Sequence, residues 1–409
     1  VSTDLADLYR DLHRHPELSF AEIRTAGIAA DRLRAAGYEV TEGVGRTGVV
    51  GVLRNGDGPT ALLRADMDAL PVAEDTGLDY ASTVHAPGAD GEPTPVAHAC
   101  GHDVHVTCLV GAAAELASTR DTWAGTLLVV FQPAEEHGAG ADAMLDDDLF
   151  GRFGTPHVVL GQHVAPLPAG VLAVAAGPAF AGSDTVRVTL HGTGGHGSRP
   201  ETTVDPVVLA AATVLRLQTV VSREVAATDT AVLSVGTLRA GTAPNIIPET
   251  AELGLSVRSY TATVRDRVLG AVERIVRGEA ATSGAPRDPE IRVVDSFPPV
   301  LNDADAVDRT RGALAAVTAL PVLDPGPVTG SEDVGRFATA AGVPCVYWLL
   351  GGADPEEFAG CASVDDIRAR IAELPSNHSP RYAPVIEPTL STGVAALVAA
   401  AREWLPVAR

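Results

Sequence analysis

The chain has 409 residues, and its 30 Lys+Arg against 52 Asp+Glu leave a net charge of −22 that repels polyanions and argues against nucleic-acid binding as a main role. This length favours two domains over one continuous core, and 46% apolar residues exclude wholesale disorder. The opening VSTDLADLYRDLHRHPELS lacks a basic segment leading into an apolar one, and apolar runs elsewhere break well short of ~20 residues, so neither a secretory signal nor a membrane span is read.

Residues 4–15 and 19–36 carry helical periodicity on either side of Pro16. Strand candidates follow at 49–53, 60–65, 125–131 and 157–161, with a helix predicted over 104–118. Near-continuous apolar strands separated by helices predict a largely parallel sheet covered on both faces, with a pocket outside the carboxyl ends of its strands. Asp66, Glu135, Glu136 and His163 each follow such a strand. Beyond Gly182 the pattern changes. Residues 184–190 alternate as DTVRVTL, further strands are read at 230–238, 251–257 and 290–294, and helices at 205–220 and 263–278 lie between them. That order predicts a split βαβ sandwich. The α/β pattern then resumes with a helix at 305–319, a strand at 343–349 and a helix at 387–405. The expected fold class is therefore α/β and two-domain. Residues 1–181 and 295–409 form a catalytic domain, and 182–294 an inserted ferredoxin-like α+β domain.

Thiol, imidazole and carboxylate side chains cluster along this frame. Cys100 and His102 stand two apart in HACGHD, at a turn before a helix from which both can reach one ion. Glu135 and Glu136 follow the strand LLVVF, flanked by Pro133 and Gly138, which reads as a fixed turn. His163 lies in GQHVAP and His378 in SNHSP. Such residue types bind a borderline-soft divalent cation, and a further carboxylate can handle protons. Cys108 lies on an apolar run. With Cys345 and Cys361 it completes a set of four that reads as reduced and cytoplasmic, leaving Cys100 as the one cysteine placed for chemistry.

From LHRHPELSFAE through ADMDALP, AHACGHDVH, QPAEE, GQHVAP, GGHGSRP, TAPNIIPE, VTGSEDVGRF and NHSP, the sequence resembles the M20 metallopeptidase family in its amidohydrolase branch. That branch includes aminoacylase-like enzymes, hippurate hydrolases and auxin-conjugate amidohydrolases. The resemblance implies two divalent ions, Zn or Mn foremost and Co or Ni also acceptable, held by Cys100, His102, Glu136, His163 and His378, with Cys100 bridging. It implies Glu135 as general base and Asp68 as the residue orienting His102. The inserted domain then serves as a lid and dimerisation domain of a homodimer. His196 contacts the substrate, in many relatives from the partner subunit, and Asn245 and Arg258 are candidates for its carboxylate. Glu332 in TGSEDVG resembles an acid placed near the site. The implied reaction is hydrolysis of N-acyl (acetyl, benzoyl or similar) amino acids to a carboxylate and a free amino acid. The rivals are a dipeptidase or carboxypeptidase, and an inactive binding homologue, which would need a lost ligand or base.

Overall fold

The computed structural model describes residues 3–88 and 91–407. They divide into two compact units. The first contains the residues up to Ala179, Leu301–Pro327 and those from Asp333 onward. Its seven-stranded sheet runs in the order Glu39–Val44, Gly48–Asn55, Gly125–Gln132, Thr60–Asp66, Val158–Pro168, Cys345–Ala353 and Leu172–Ala173. The four strands from Gly125–Gln132 to Cys345–Ala353 are parallel neighbours. The remaining pairings are antiparallel, so the sheet is mixed where the apolar runs predicted a largely parallel one. The cause is local. Only residues 45–47 separate the first two strands, too few for the crossover that parallel neighbours require.

Leu62, Leu63, Val129, Val130, Val159 and Leu160 are wholly buried in these strands. Helices Ile23–Ala35, His102–Ser118 and Thr389–Trp404 pack on the sheet. The second helix begins at Ile23 rather than 19, because Phe20 is left-handed (φ 61°) and the Glu17 carboxylate accepts the first helical N–H groups, from Arg24 and Thr25. His163 lies inside Val158–Pro168 rather than after it, since that strand continues well beyond the apolar run. No helix among the described residues is long and apolar enough to cross a membrane.

The second unit comprises Phe180–Val300 and Val328–Glu332. Its antiparallel sheet has the order Ala231–Ala240, Thr250–Ser259, Gly182–His191, Glu290–Phe297. Val186, Val188 and Leu190 bury one face against Leu209 and Leu217 of helix Pro206–Glu224, and against Val268, Val272 and Val276 of helix Ala262–Thr282. Asp205 and Thr261 cap these helices with their side chains. The unit extends past the boundaries expected at 182 and 294, because the last strand keeps pairing as far as Ser183↔Phe297. Residues 328–332 join it through bonds from Ala181 N–H to Val328 O and Gly330 O.

Candidate metal centre

Asp66 and Gln132 end adjacent parallel strands, and the chain beyond each turns into the site. Cys100 and His102 flank Gly101, which has φ +82°. A Cβ there would lie 2.4 Å from Val164 Cγ1, so glycine is the residue that lets the chain turn left-handed between Cys100 and the start of helix His102–Ser118. Pro133–Gly140 makes the second turn. Gly138 N–H bonds Glu135 O at 2.7 Å, and a Cβ on Gly140 would meet Pro133 O at 1.5 Å. His378 is itself left-handed (φ 73°) and its N–H donates to Ala99 O at 2.7 Å, which ties its segment to the Cys100 turn. Asn377 Nδ2 adds bonds of 3.1 Å to Cys100 O and to Val164 O.

The ligand atoms converge as two triads. Cys100, His102 and His163 form one, and Cys100, Glu136 and His378 the other, each with its ligand atoms within 4.8 Å of one another. Cys100 belongs to both. His163 Nδ1 lies 2.8 Å from Val164 O, which can only accept, so Nε2 carries the lone pair and faces Cys100 Sγ at 3.6 Å. His378 Nε2 stands 3.3 Å from Glu136 Oε2. His102 is fully buried, with Nε2 3.7 Å from Glu136 Oε1 and 3.9 Å from Glu135 Oε2, and Nδ1 3.4 Å from Asp68 Oδ1. Among the described residues, neither ring nitrogen of His102 nor Oε1 of Glu136 has a hydrogen-bond partner. Buried polar atoms are rarely left so; with Nδ1 turned toward Asp68, a divalent cation supplies what the lone pairs of His102 Nε2 and Glu136 Oε1 lack. The donor set fits the metal ions that the resemblance implies.

Asp68 organises the carboxylates. Its Oδ1 accepts Glu135 N–H and its Oδ2 accepts Glu136 N–H, each at 3.0 Å, while the Ser19 hydroxyl donates to Oδ2 at 2.6 Å. A second buried network lies behind His102. Arg64 donates to Gln132, Asp66 and Asp333, and Asp66 Oδ1 accepts from His105 Nδ1 at 2.5 Å. His105 Nε2 accepts Val164 N–H at 2.8 Å, so both nitrogens are engaged and this histidine supports rather than ligates. Burial alone would raise the Asp66 carboxyl, but His102, Arg64 and His105 together hold it well below the usual range. Burial pushes the Cys100 thiol up, and Glu136 adds to this, so the thiolate needs a cation. Burial pushes His98 down to about 4, which keeps it neutral.

The sequence pointed to the five ligand candidates, Glu135 and Asp68, and placed Asp66 at a strand end, but did not point to the support from Arg64, His105 and Ser19. The one available signal was a lone arginine inside the apolar strand TALLRAD. The remaining candidates belong to the second unit. His196 and Asn245 are exposed and adjacent, since Gly197 N–H bonds Asn245 O at 2.8 Å and His196 pairs with Ile246. Arg258 Nη1 donates to Thr329 O and Ser331 Oγ. Glu332 is buried in the same unit. His196 and Asn245 lie beyond the end of the sheet where His191 pairs with Thr250, and Arg258 lies at the other end, beside Ser183. Eight residues of strand put roughly 25 Å between these ends.

Mixed sheet, strand-end carboxylates and paired ligand triads place the molecule among α/β proteins built round a divalent-metal site. The profile described as Peptidase family M20/M25/M40 matches residues 62–375, and the chain belongs to that family. Hippurate hydrolase of Campylobacter jejuni is 40% identical over 350 residues, covering 83% of this chain and 85% of that protein. Thermostable carboxypeptidase 1 of Saccharolobus solfataricus is 36% identical over 362 residues, 87% of each chain. A solved Bacillus subtilis structure, described as a dinuclear metal-binding peptidase from the M20 family, is 28% identical with a TM-score of 0.78, covering 98% of each chain.

Proposed function

We propose that this protein hydrolyses the amide bond of N-acyl amino acids, acetylated or benzoylated, releasing a carboxylate and a free amino acid. The observation that carries this is the pair of ligand triads sharing Cys100, with Glu135 beside them. Cys100, His102, Glu136, His163 and His378 would hold two divalent ions, Zn or Mn foremost and Co or Ni also acceptable. When bound, the ions supply Lewis acidity to the amide carbonyl and to the attacking water. Glu135 accepts the proton of that water and returns it to the leaving nitrogen. Asp68 holds the backbone of both glutamates and faces His102 Nδ1.

The second unit is the lid and dimerisation domain in this reading. His196 and Arg258 of one chain lie too far apart for one amino-acid-sized substrate to touch both. The arrangement that uses both takes Arg258 from one chain and His196, with Asn245, from the other chain of a homodimer. Four free cysteines, three of them buried, suit a reducing cytoplasm.

The carboxypeptidase relative favours a second reading, cleavage of a peptide C-terminus. Metal-stripped protein reloaded with Zn, Mn, Co or Ni and assayed on N-acetyl and N-benzoyl amino acids beside free dipeptides separates the two. Stripping should abolish hydrolysis, a suitable ion should restore it, and the blocked amino acids should turn over faster. Full activity in verified metal-free protein would defeat the metal mechanism. A preference for free dipeptides would select the peptidase.

A further inference from the structure

The motif HPELSFAE contains two glutamates that the proposed reaction does not use. Glu17 has a structural task. Its carboxylate accepts the N–H groups of Arg24 at 2.9 Å and Thr25 at 2.8 Å, the start of helix Ile23–Ala35. Glu22 occupies the position before that helix yet makes no cap bond with its side chain. Its carboxylate turns inward and is wholly buried. Oε1 accepts the N–H of Phe20 at 2.9 Å and, across 112 residues, that of Ala134 at 2.8 Å, while Oε2 accepts the Thr47 hydroxyl.

Ala134 immediately precedes Glu135 and is left-handed, with φ 46°. A residue with a side chain adopts that conformation only when its surroundings hold it there. The hold continues along the turn, because the next two amides, Glu135 N–H and Glu136 N–H, go to the two oxygens of Asp68. Three successive backbone N–H groups thus end on two buried carboxylates. The same N-terminal segment serves both, with Ser19 bonded to Asp68 and Glu22 bonded to Ala134. Burial, and after it the charge of Asp68, push the Glu22 carboxyl up to about 7, so a fold that needed only packing here would do better with an apolar side chain.

We propose that Glu22 is a positioning residue, whose Oε1 locks the left-handed turn at Ala134 and thereby aims the Glu135 carboxylate at the reacting water. This rests on the reading of Glu135 as the general base. Glu22→Ala removes the acceptor, Glu22→Asp keeps the charge but falls one methylene short, and Glu22→Gln keeps an oxygen for both amides and a donor for Thr47. Two readouts apply to each variant. Hydrogen–deuterium exchange across residues 133–140 reports the turn whether or not the protein has activity, and kcat, KM and metal content report the site.

The alanine and aspartate variants should exchange at 134–136 about tenfold faster and lose at least about tenfold in kcat, with KM and metal content within about twofold. The glutamine variant should stay within about threefold of wild type in both. Unchanged exchange in Glu22→Ala, or a kcat within about twofold of wild type, would overturn the assignment. So would a loss of kcat matched by loss of metal, or a glutamine variant as impaired as alanine. If the wild type hydrolysed no N-acyl amino acid, the proposed function would fall, while the exchange data would still decide whether Glu22 holds the turn.

Discussion

Glu135 and Glu136 are sequence neighbours with different surroundings. Glu136 faces His378 Nε2 and His102 Nε2 and, among the described residues, keeps an oxygen without a hydrogen-bond partner, as a ligand would. Glu135 groups with His102 and Glu136 but not with Cys100, the residue that the two ligand triads share. Glu135→Gln should therefore leave metal content near wild type while kcat falls by at least ~10²-fold, the typical worth of a general base. Glu136→Gln should lose bound metal as well. Metal analysis and steady-state kinetics on both variants check this, and a Glu135→Gln protein retaining more than about a third of kcat would remove Glu135 from the role. These two residues were legible because charge directly after an apolar strand serves no apolar repeat. Arg64 was not, because the partners that make it tolerable, Gln132 and Asp333, are 68 and 269 positions away.

At the scale of elements, helix His102–Ser118 begins with a ligand candidate and must be held at that end. Asp103 Oδ2 meets His13 Nδ1 at 2.6 Å, and Glu74 Oε1 meets His13 Nε2 at 3.0 Å, with all three side chains buried. The triad joins helix Thr3–Arg14 to the start of His102–Ser118. Burial disfavours a charged His13, but Asp103 and Glu74 outweigh it and raise the imidazole to about 10. A histidine with a raised pKa contributes stability that is complete below its unfolded value near 6.5 and is lost as pH climbs through the folded one. The wild-type Tm should accordingly fall between pH 7 and 10, and His13→Gln should show a lower Tm with a flatter profile over that window. Parallel slopes in thermal melts of the two proteins would exclude the charged triad. From sequence His13 was one unassigned histidine among twelve, since only folding brings Glu74 and Asp103 to it.

At the scale of the whole molecule, the proposed homodimer makes each site composite. Mixing His196→Ala chains with Glu135→Gln chains should regenerate one site per heterodimer, in which the intact Glu135 of one chain meets the intact His196 of the other. Activity of the mixture should rise well above either variant alone once tagged co-purification confirms subunit exchange. Exchange without recovery would place His196 in its own chain's site, and a monomer at assay concentration would remove the dimer.

Hydropathy period and residue type are local properties, and they carried a great deal. From them come the α/β class, the change of pattern beyond Gly182 and the cluster of thiol, imidazole and carboxylate candidates, because a strand, a turn or a ligand motif is written within a few residues. Pairing direction, unit boundaries and support of the site are not local. The antiparallel pairings of Gly48–Asn55 with Gly125–Gln132 and of Leu172–Ala173 with Cys345–Ala353 join strands far apart in the chain, and the second unit grew because Phe297 continues to pair with Ser183. Glu22, Asp68 and Ala134 share no motif, yet two buried carboxylates drawn from distant segments hold the turn that presents Glu135. A buried charge is tolerable only where the folded chain brings it partners, so, Asp68 apart, the tertiary structure decided which polar residues support the site.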